Sequence, residues 1–332
     1  MTQRTILITG STGKQGKALI ASLLSSQAST CHILALTRSS TSPAAAALLK
    51  KHGEDNLTIV EGNLNDEASV RRVFESQKES GGIWGVFCVL AYPGLGKEAN
   101  GEEAQGKRLA SLGQEYGVKC YAYSSAMRAG PKYEDQLKLS GRAKANIEKH
   151  CMELGETGLP WVILRPAFFM ENFEDYIGSI AVGVMRAGLK EDTALHLIAS
   201  EDIGHVAAGV FNNPSKYTHK ILSLTSEALT MTQLDVAHKK ATGKRLPSIS
   251  SYVAWGIMKL NTSTRKLIED IERNHDCLIS GEYPSHRDEI ALANEAFRMK
   301  TYAEWKSKEV EADEYQGAWN GVSFTKLVTG RL

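Results

Sequence analysis

Between a β-branched run, Thr5-Ile6-Leu7-Ile8-Thr9, and a segment with Leu19, Ile20, Leu23 and Leu24 at helical spacing, the chain carries Gly10-Ser11-Thr12-Gly13-Lys14-Gln15-Gly16. A strand that turns through glycine into a helix leaves the first helical N–H groups without partners inside the helix. The helix dipole adds partial positive charge there, so the turn favours an anion such as a pyrophosphate. The three glycines do different things. One permits the tight turn, one lets a phosphate approach the backbone, and one lets the helix pack on the sheet. The spacing is GxxGxxG and not the simplest dinucleotide fingerprint. Its position between strand and helix therefore carries the reading, against the plainer one of an ordinary glycine turn.

The strand–helix unit recurs. Strands are expected at 32–37, 57–61, 86–91, 119–124 and 161–164, and helices at 44–51, 67–77, 103–116 and 137–154. The nearly continuous apolar run at 86–91 suits a strand covered on both faces at the sheet centre. Six strands in this alternation predict an α/β chain, a doubly wound parallel-sheet NAD(P)-binding Rossmann fold. Beyond Pro166 the pattern loosens, with helices at 173–187 and 203–212 and short strands at 195–198 and 221–224. Thr230 with Gln233 forms a capping-box pattern, and Gly243 stands where that helix should stop. The expected organisation is a nucleotide-binding domain at 1–165, a smaller substrate or partner lobe at 166–305 that interleaves with the first or follows it, and a tail at 306–332.

At the end of the second expected strand, where an acid would accept hydrogen bonds from the ribose of NAD, the sequence reads Leu36-Thr37-Arg38-Ser39-Ser40. A guanidinium makes paired, charge-assisted hydrogen bonds to a phosphate, so Arg38 points to NADP, or NADPH, over NAD. The competing reading is a solvated surface arginine.

Charge excludes other classes. With 39 basic and 38 acidic side chains in 332 residues, no basic surplus exists to neutralise a run of nucleic-acid phosphates or to dock on a membrane. The most apolar stretch, 177–185, holds two glycines and is well short of the ~20 residues a membrane-spanning helix needs. The opening residues lack a secretion-signal pattern, so a cytoplasmic protein is expected, or a nuclear one if it is a regulator. Cys31, Cys88, Cys120, Cys151 and Cys277 are odd in number and widely spaced, as in reduced and mostly buried thiols.

With these residues placed, the chain resembles the NmrA-like family, an atypical branch of the short-chain dehydrogenase/reductases, with the pattern of its redox-sensor members. The resemblance runs from about Thr5 to Trp305. Its landmarks are the glycine turn, Glu61-Gly62-Asn63-Leu64, the strand at 118–125, Lys144-Ala145-Asn146-Ile147-Glu148, Asp202-Ile203-Gly204 and Thr301-Tyr302-Ala303-Glu304-Trp305. The most specific is Leu164-Arg165-Pro166-Ala167-Phe168-Phe169-Met170-Glu171-Asn172-Phe173. The resemblance implies that Gly10, Ser11, Thr12, Gly13, Lys14 and Gln15 hold the pyrophosphate and that Arg38 takes the 2′-phosphate. It further implies that Asn63 and Leu64 border the adenine, that Leu90, Ala91 and Tyr92 line the inner cofactor, and that Lys144 reaches the nicotinamide ribose. Phe169, Met170, Glu171 and Asn172 would close over the nicotinamide end. Asn63 replaces the usual acid, and Ser42 stands where a second basic residue is often found, which implies weaker NADP affinity.

Reducing a carbonyl by hydride transfer calls for a proton donor, which short-chain reductases usually supply as a Tyr four residues before the Lys. That position is Ser140, a far weaker acid on the same helix face as Lys144. Tyr92, Tyr133 and Ser125 stand where a substitute could come from, although each suits a structural role as well. No two-His helix motif and no GxSxG turn is present, and His150, His205 and His238 read as solvated or satisfied side chains. Asp202 reads as a helix N-cap. Two readings remain open. One is an NADPH-dependent reductase of a small apolar carbonyl, quinone or enone. The other is a non-catalytic NADP(H) redox sensor and transcriptional co-regulator acting through a protein partner.

Overall fold

The computed structural model describes residues 3–25 and 31–307; the tail beyond Ser307 lies outside them. The first half alternates β1 (Arg4–Ile8), α1 (Lys14–Ser25), β2 (Cys31–Thr37), α2 (Pro43–His52), β3 (Leu57–Glu61), α3 (Glu67–Ser76), β4 (Gly85–Cys88), α4 (Asn100–Glu115), β5 (Cys120–Ser124), α5 (Leu139–Glu156) and β6 (Trp161–Pro166). The second half holds β7 (Phe168–Phe169), α6 (Asp175–Gly188), β8 (Leu195–Ile198), α7 (Ser200–Asn212), α8 (Pro214–Tyr217), β9 (Lys220–Leu224) and β10 (Glu227–Leu229). Then come α9 (Met231–Thr242), α10 (Ser251–Leu260), α11 (Thr262–Ser280), α12 (His286–Ala296) and α13 (Tyr302–Ser307).

The central sheet has seven strands in the order β3-β2-β1-β4-β5-β6-β9, all paired in parallel. The chain moves outward from β1 to β3 and then returns to place β4 on the other side of β1, so the topological switch lies between β1 and β4. Strand side chains alternate between two apolar layers. Ile6 and Ile8 pack with the α1 and α7 side chains, whereas Leu7 packs on the opposite face with Val70, Val73, Leu109 and Ile147.

The seventh strand corrects the count of six. β9 adds to β6, and its Leu222 and Leu224 share an apolar layer with Val162 and Leu164. α7 also returns to this layer: a Cβ on Gly204 would lie 2.5 Å from the Leu19 backbone nitrogen, so glycine there lets α7 lie directly on α1. Periodicity reports that a segment is a strand or a helix and leaves unstated which sheet it joins.

Smaller expectations shift as well. α7 starts at Ser200, which puts Asp202 inside its first turn instead of at the N-cap. There it accepts from the Lys300 N–H at 2.7 Å and pairs with the Lys300 ammonium at 2.7 Å. The capping box forms as expected: Thr230 and Gln233 exchange hydrogen bonds of 2.9 and 3.2 Å, and Gly243 ends α9 at φ 75°. The small sheet β10-β8-β7 and the helices around it enclose a second core, including Met170, Phe173, Leu197, Tyr302 and Trp305. All five cysteines are buried and none forms a disulfide. Among the described residues no helix is long and apolar enough to cross a membrane.

Candidate functional site

The glycine turn sits at the carboxyl end of β1, beside the topological switch. Gly10 has φ +56°, and a Cβ there would stand 2.7 Å from Val89 Cγ1, so both conformation and space demand glycine. Gly16 is required by the turn's own backbone: its Cβ would lie 2.7 Å from Ser11 Cα, so this glycine packs helix against turn and not helix against sheet. The bond from Lys17 N to Gly13 O (2.9 Å) opens α1, which leaves the N–H groups of Lys14, Gln15 and Gly16 as first-turn donors. Three side chains brace the turn. Thr9 Oγ1 donates to Val89 O and accepts from Val89 N, each at 2.8 Å. Ser11 Oγ donates to Leu36 O at 2.9 Å, and Gln15 Oε1 accepts from Ser124 Oγ at 2.7 Å. Ser11 therefore uses its hydroxyl to position the turn and has only backbone to offer an anion, whereas Gln15 is anchored through its oxygen and keeps the donors of its side-chain amide nitrogen; Thr12 stands between Ser11 and Gly13.

Arg38 follows β2, close to the strand end that Ser11 grips. A cleft of about 460 Å³ opens here, lined by Arg38, Val60, Glu61, Gly62, Asn63, Ser69, Arg72, Val73 and Ser76. Arg38 and Asn63 both line it, whereas Leu64 is not part of its wall; the Leu64 carbonyl accepts from Arg108 Nη1 at 2.5 Å. Asn63 Oδ1 is turned back onto Asn65 N at 3.0 Å. Glu61 accepts from Ser40 N and Ser40 Oγ, both at 2.7 Å, and these bonds hold its carboxyl below the usual carboxylate range.

β4 ends at Cys88, so Leu90, Ala91 and Tyr92 belong to the loop beyond it; Leu90 is buried, while Ala91 and Tyr92 are exposed. Across from this loop, Ser140 and Lys144 share one face of α5, and both meet a residue that sequence reasoning missed. Glu102, buried in the first turn of α4, accepts from Ser140 Oγ at 2.7 Å through one oxygen and lies 2.6 Å from the Lys144 ammonium through the other. An acid early in a helix reads as a dipole partner and gives no hint of this contact. A signal was nonetheless present: Gly106 lies one turn on from Glu102, and its Cβ would stand 2.5 Å from Ile147 Cδ1. A glycine on an otherwise apolar helix face marks the close approach of α4 and α5 that seats the carboxylate.

The segment after β6 divides. Phe169 packs on the central core, whereas Met170 is fully buried in the second core. Glu171 accepts from Ser200 N at 2.9 Å and also from Ser200 Oγ. Burial pushes its carboxyl up against the opposing pull of the Ser200 hydrogen bonds and of the Lys14 charge. Glu171 Oε2 and Asn172 Oδ1 are buried with no hydrogen-bond partner. Unfilled buried acceptors are expensive unless a donor arrives, so these two atoms and the glycine cradle suit a bound dinucleotide with an amide and hydroxyls to offer.

None of the expected substitute proton donors is an activated acid. Ser125 Oγ donates to Glu148, a buried carboxylate that also takes Arg128 Nη1 at 2.8 Å and Arg165 Nη2 at 2.6 Å. Burial pushes the Glu148 carboxyl up, and the Arg165 and Arg128 charges outweigh it, so it is held below the usual range. Tyr133 donates to Glu282 at 3.1 Å on the surface. Although the Tyr92 side chain is exposed overall, desolvation around its phenol and then the Glu102 carboxylate push it up to about 12, away from a proton donor's range. The histidines serve locally: His238 Nδ1 lies 2.9 Å from Tyr302 Oη and His150 Nε2 lies 2.9 Å from Ser111 Oγ. Among the described residues no group of three His, Cys, Asp or Glu side chains could hold a metal ion.

Comparison with known proteins agrees with this layout. The NmrA-like family model matches residues 2–258. An NmrA-like family domain-containing oxidoreductase of Aspergillus hancockii is 24% identical over 319 residues, covering 89% of this chain and 90% of the relative. The crystal structure of NmrA, a negative transcriptional regulator, superposes with a TM-score of 0.68 at 19% identity, covering 92% of this chain and 95% of that one. An NADPH-dependent quinone oxidoreductase of Escherichia coli, solved with NADPH, superposes with a TM-score of 0.62 at 22% identity, covering 91% and 98%. Glycine turn, sheet order and the match over most of its length together make this chain a member of the NmrA-like family.

Proposed function

We propose that this chain binds NADPH in the crevice at the β1/β4 switch and reduces a small apolar acceptor, a quinone or enone before a simple carbonyl. The observation that carries the reading is the glycine turn, where Gly10 and Gly16 admit no side chain and the first-turn amides of α1 face the place where a pyrophosphate belongs. Two relatives support it by what their own structures hold: an NmrA complex with NADP and the quinone oxidoreductase complex with NADPH.

The bound cofactor would supply the hydride. Lys14 and the first-turn amides would hold its diphosphate, and Arg38 its phosphorylated ribose. Lys144 has three N–H donors and makes an ion pair with Glu102, so donors remain for ribose hydroxyls. Asn172 Oδ1 and Glu171 Oε2 would accept from the amide at the far end. The acceptor class follows from what is spent. Ser140 is committed to Glu102, Ser125 to Glu148, and the Tyr92 phenol is a weak acid. A quinone reduced by hydride leaves an oxygen anion of modest basicity that water can protonate, whereas a simple alkoxide needs the missing donor.

The same committed hydroxyls favour a second reading, a redox sensor that binds NADP(H) without turnover and presents a protein-binding surface. Incubation with NADPH and a panel of quinones, enones and aldehydes separates the two. NADPH consumption with quinones or enones is the expected result; tight NADPH binding with no consumption above blank across the panel would assign the sensor.

A further inference from the structure

We infer that Arg72, on α3, is the second cation that reads the 2′-phosphate of the cofactor, and that Arg38 alone does not make the adenosine end selective. The inference rests on the NADPH reading above and adds to it a residue that neither the glycine-turn pattern nor the strand-end position singles out.

The charges decide it. Arg38 and Arg72 line the same cleft, and neither makes an ion pair or hydrogen bond to another described residue. Glu61 lines it as well, held as a carboxylate by Ser40. One guanidinium against one carboxylate leaves no net charge to attract a phosphate, and the Glu61 field would offset most of the Arg38 contribution. The second guanidinium turns the balance to a surplus of one positive charge.

Helix geometry brings Arg72 to the right level. β3 leads through Gly62 and Asn63 into α3, which runs antiparallel to it, so the N-terminal end of α3 lies by the carboxyl ends of the strands. Helical side chains lean toward their N-terminus. Arg72 therefore leans past Ser69, whose hydroxyl already accepts from Asn63 N at 3.1 Å, toward the strand end that carries Arg38. Ser69 and Ser76 add hydroxyls along the same wall. Ser42, where a second basic residue is often found, is occupied as the N-cap of α2, accepting from Ala45 N at 3.3 Å. A second cation from α3 fills the place left vacant there.

Dissociation constants measured by calorimetry for NADPH, NADH and adenosine 2′,5′-bisphosphate on wild type, Arg38→Ala, Arg72→Ala and Glu61→Gln test the inference. Arg72→Ala is expected to weaken NADPH and the bisphosphate roughly tenfold, as the loss of a charge-assisted phosphate contact does, and to leave NADH within about twofold. Glu61→Gln is expected to tighten NADPH. An Arg72→Ala protein with unchanged NADPH affinity, or with equal losses for NADPH and NADH, overturns the inference. If Arg38→Ala abolishes the preference for NADPH while Arg72→Ala keeps it, this inference falls and the cofactor reading stands. If wild type binds neither dinucleotide, both fall.

Discussion

Two pairs of arginines stand toward opposite edges of one sheet and meet opposite fates. Arg128 and Arg165 are buried and clamped on Glu148, and Arg165 Nη1 goes on to the Tyr283 hydroxyl at 2.6 Å, which in turn donates to Glu289 at 2.7 Å. Arg38 and Arg72 are exposed in a cleft and bond to no other described residue. Burying a charge is tolerable only when its partners are already in place, so the first pair belongs to the architecture. A guanidinium left open in a cleft keeps its donors for something that arrives later. Two family landmarks with a functional look, Lys144–Glu148 and Leu164–Arg165, owe much of their residue choice to the closed cluster.

The largest effect should come from breaking the closed pair. Glu148→Ala leaves the buried Arg165 guanidinium without its counter-charge and Arg128 with only the exposed Glu134 at 3.2 Å, and a loss of about 3–5 kcal/mol in urea unfolding is expected. A loss under about 1 kcal/mol would show that water already serves these groups and that the two pairs differ less than their burial implies. A smaller effect concerns acid. Burial, then the charges of His286 and His275, pull the His196 imidazole from about 6.5 down to about 4, and His286 stacks on Tyr283 with ring centroids 5.4 Å apart. Between those two values the unfolded chain binds more protons than the folded one, so stability must fall as pH drops through that window. The melting temperature is expected to fall between pH 7 and pH 5, and His196→Gln should flatten that fall by about 2–5 °C; an identical slope in the variant would remove His196 from the explanation. The smallest effect sharpens the contrast. Arg38→Ala should change stability by no more than about 0.5 kcal/mol, as an unengaged surface residue does, while costing affinity for NADPH.

The central sheet was legible because its signals are local. A β-branched run, a glycine turn and helical spacing repeat often enough to fix the order of elements through β6, and Thr230, Gln233 and Gly243 marked α9 at both ends. β9 was legible as a strand, but its place beside β6 was not, because that pairing is a contact of high sequence separation, from Lys220 back to Val162, that no window around either strand contains. Site residues followed the same division. Gly10, Gly16 and Arg38 were readable from position along the chain. Glu102 was not, because its meeting with Ser140 and Lys144 depends on two helices touching at Gly106 and Ile147. Met170 adjoins Glu171 in sequence yet packs in the second core, a division that no local pattern announces.

The central claim is that the backbone between Gly10 and Gly16 is shaped for a diphosphate. A crystal structure of the protein grown with NADPH tests it most directly. The expected map shows the pyrophosphate on the amides at the start of α1 and the adenosine phosphate against Arg38. NADPH ordered anywhere else, or a crevice left empty at saturating NADPH, would contradict it.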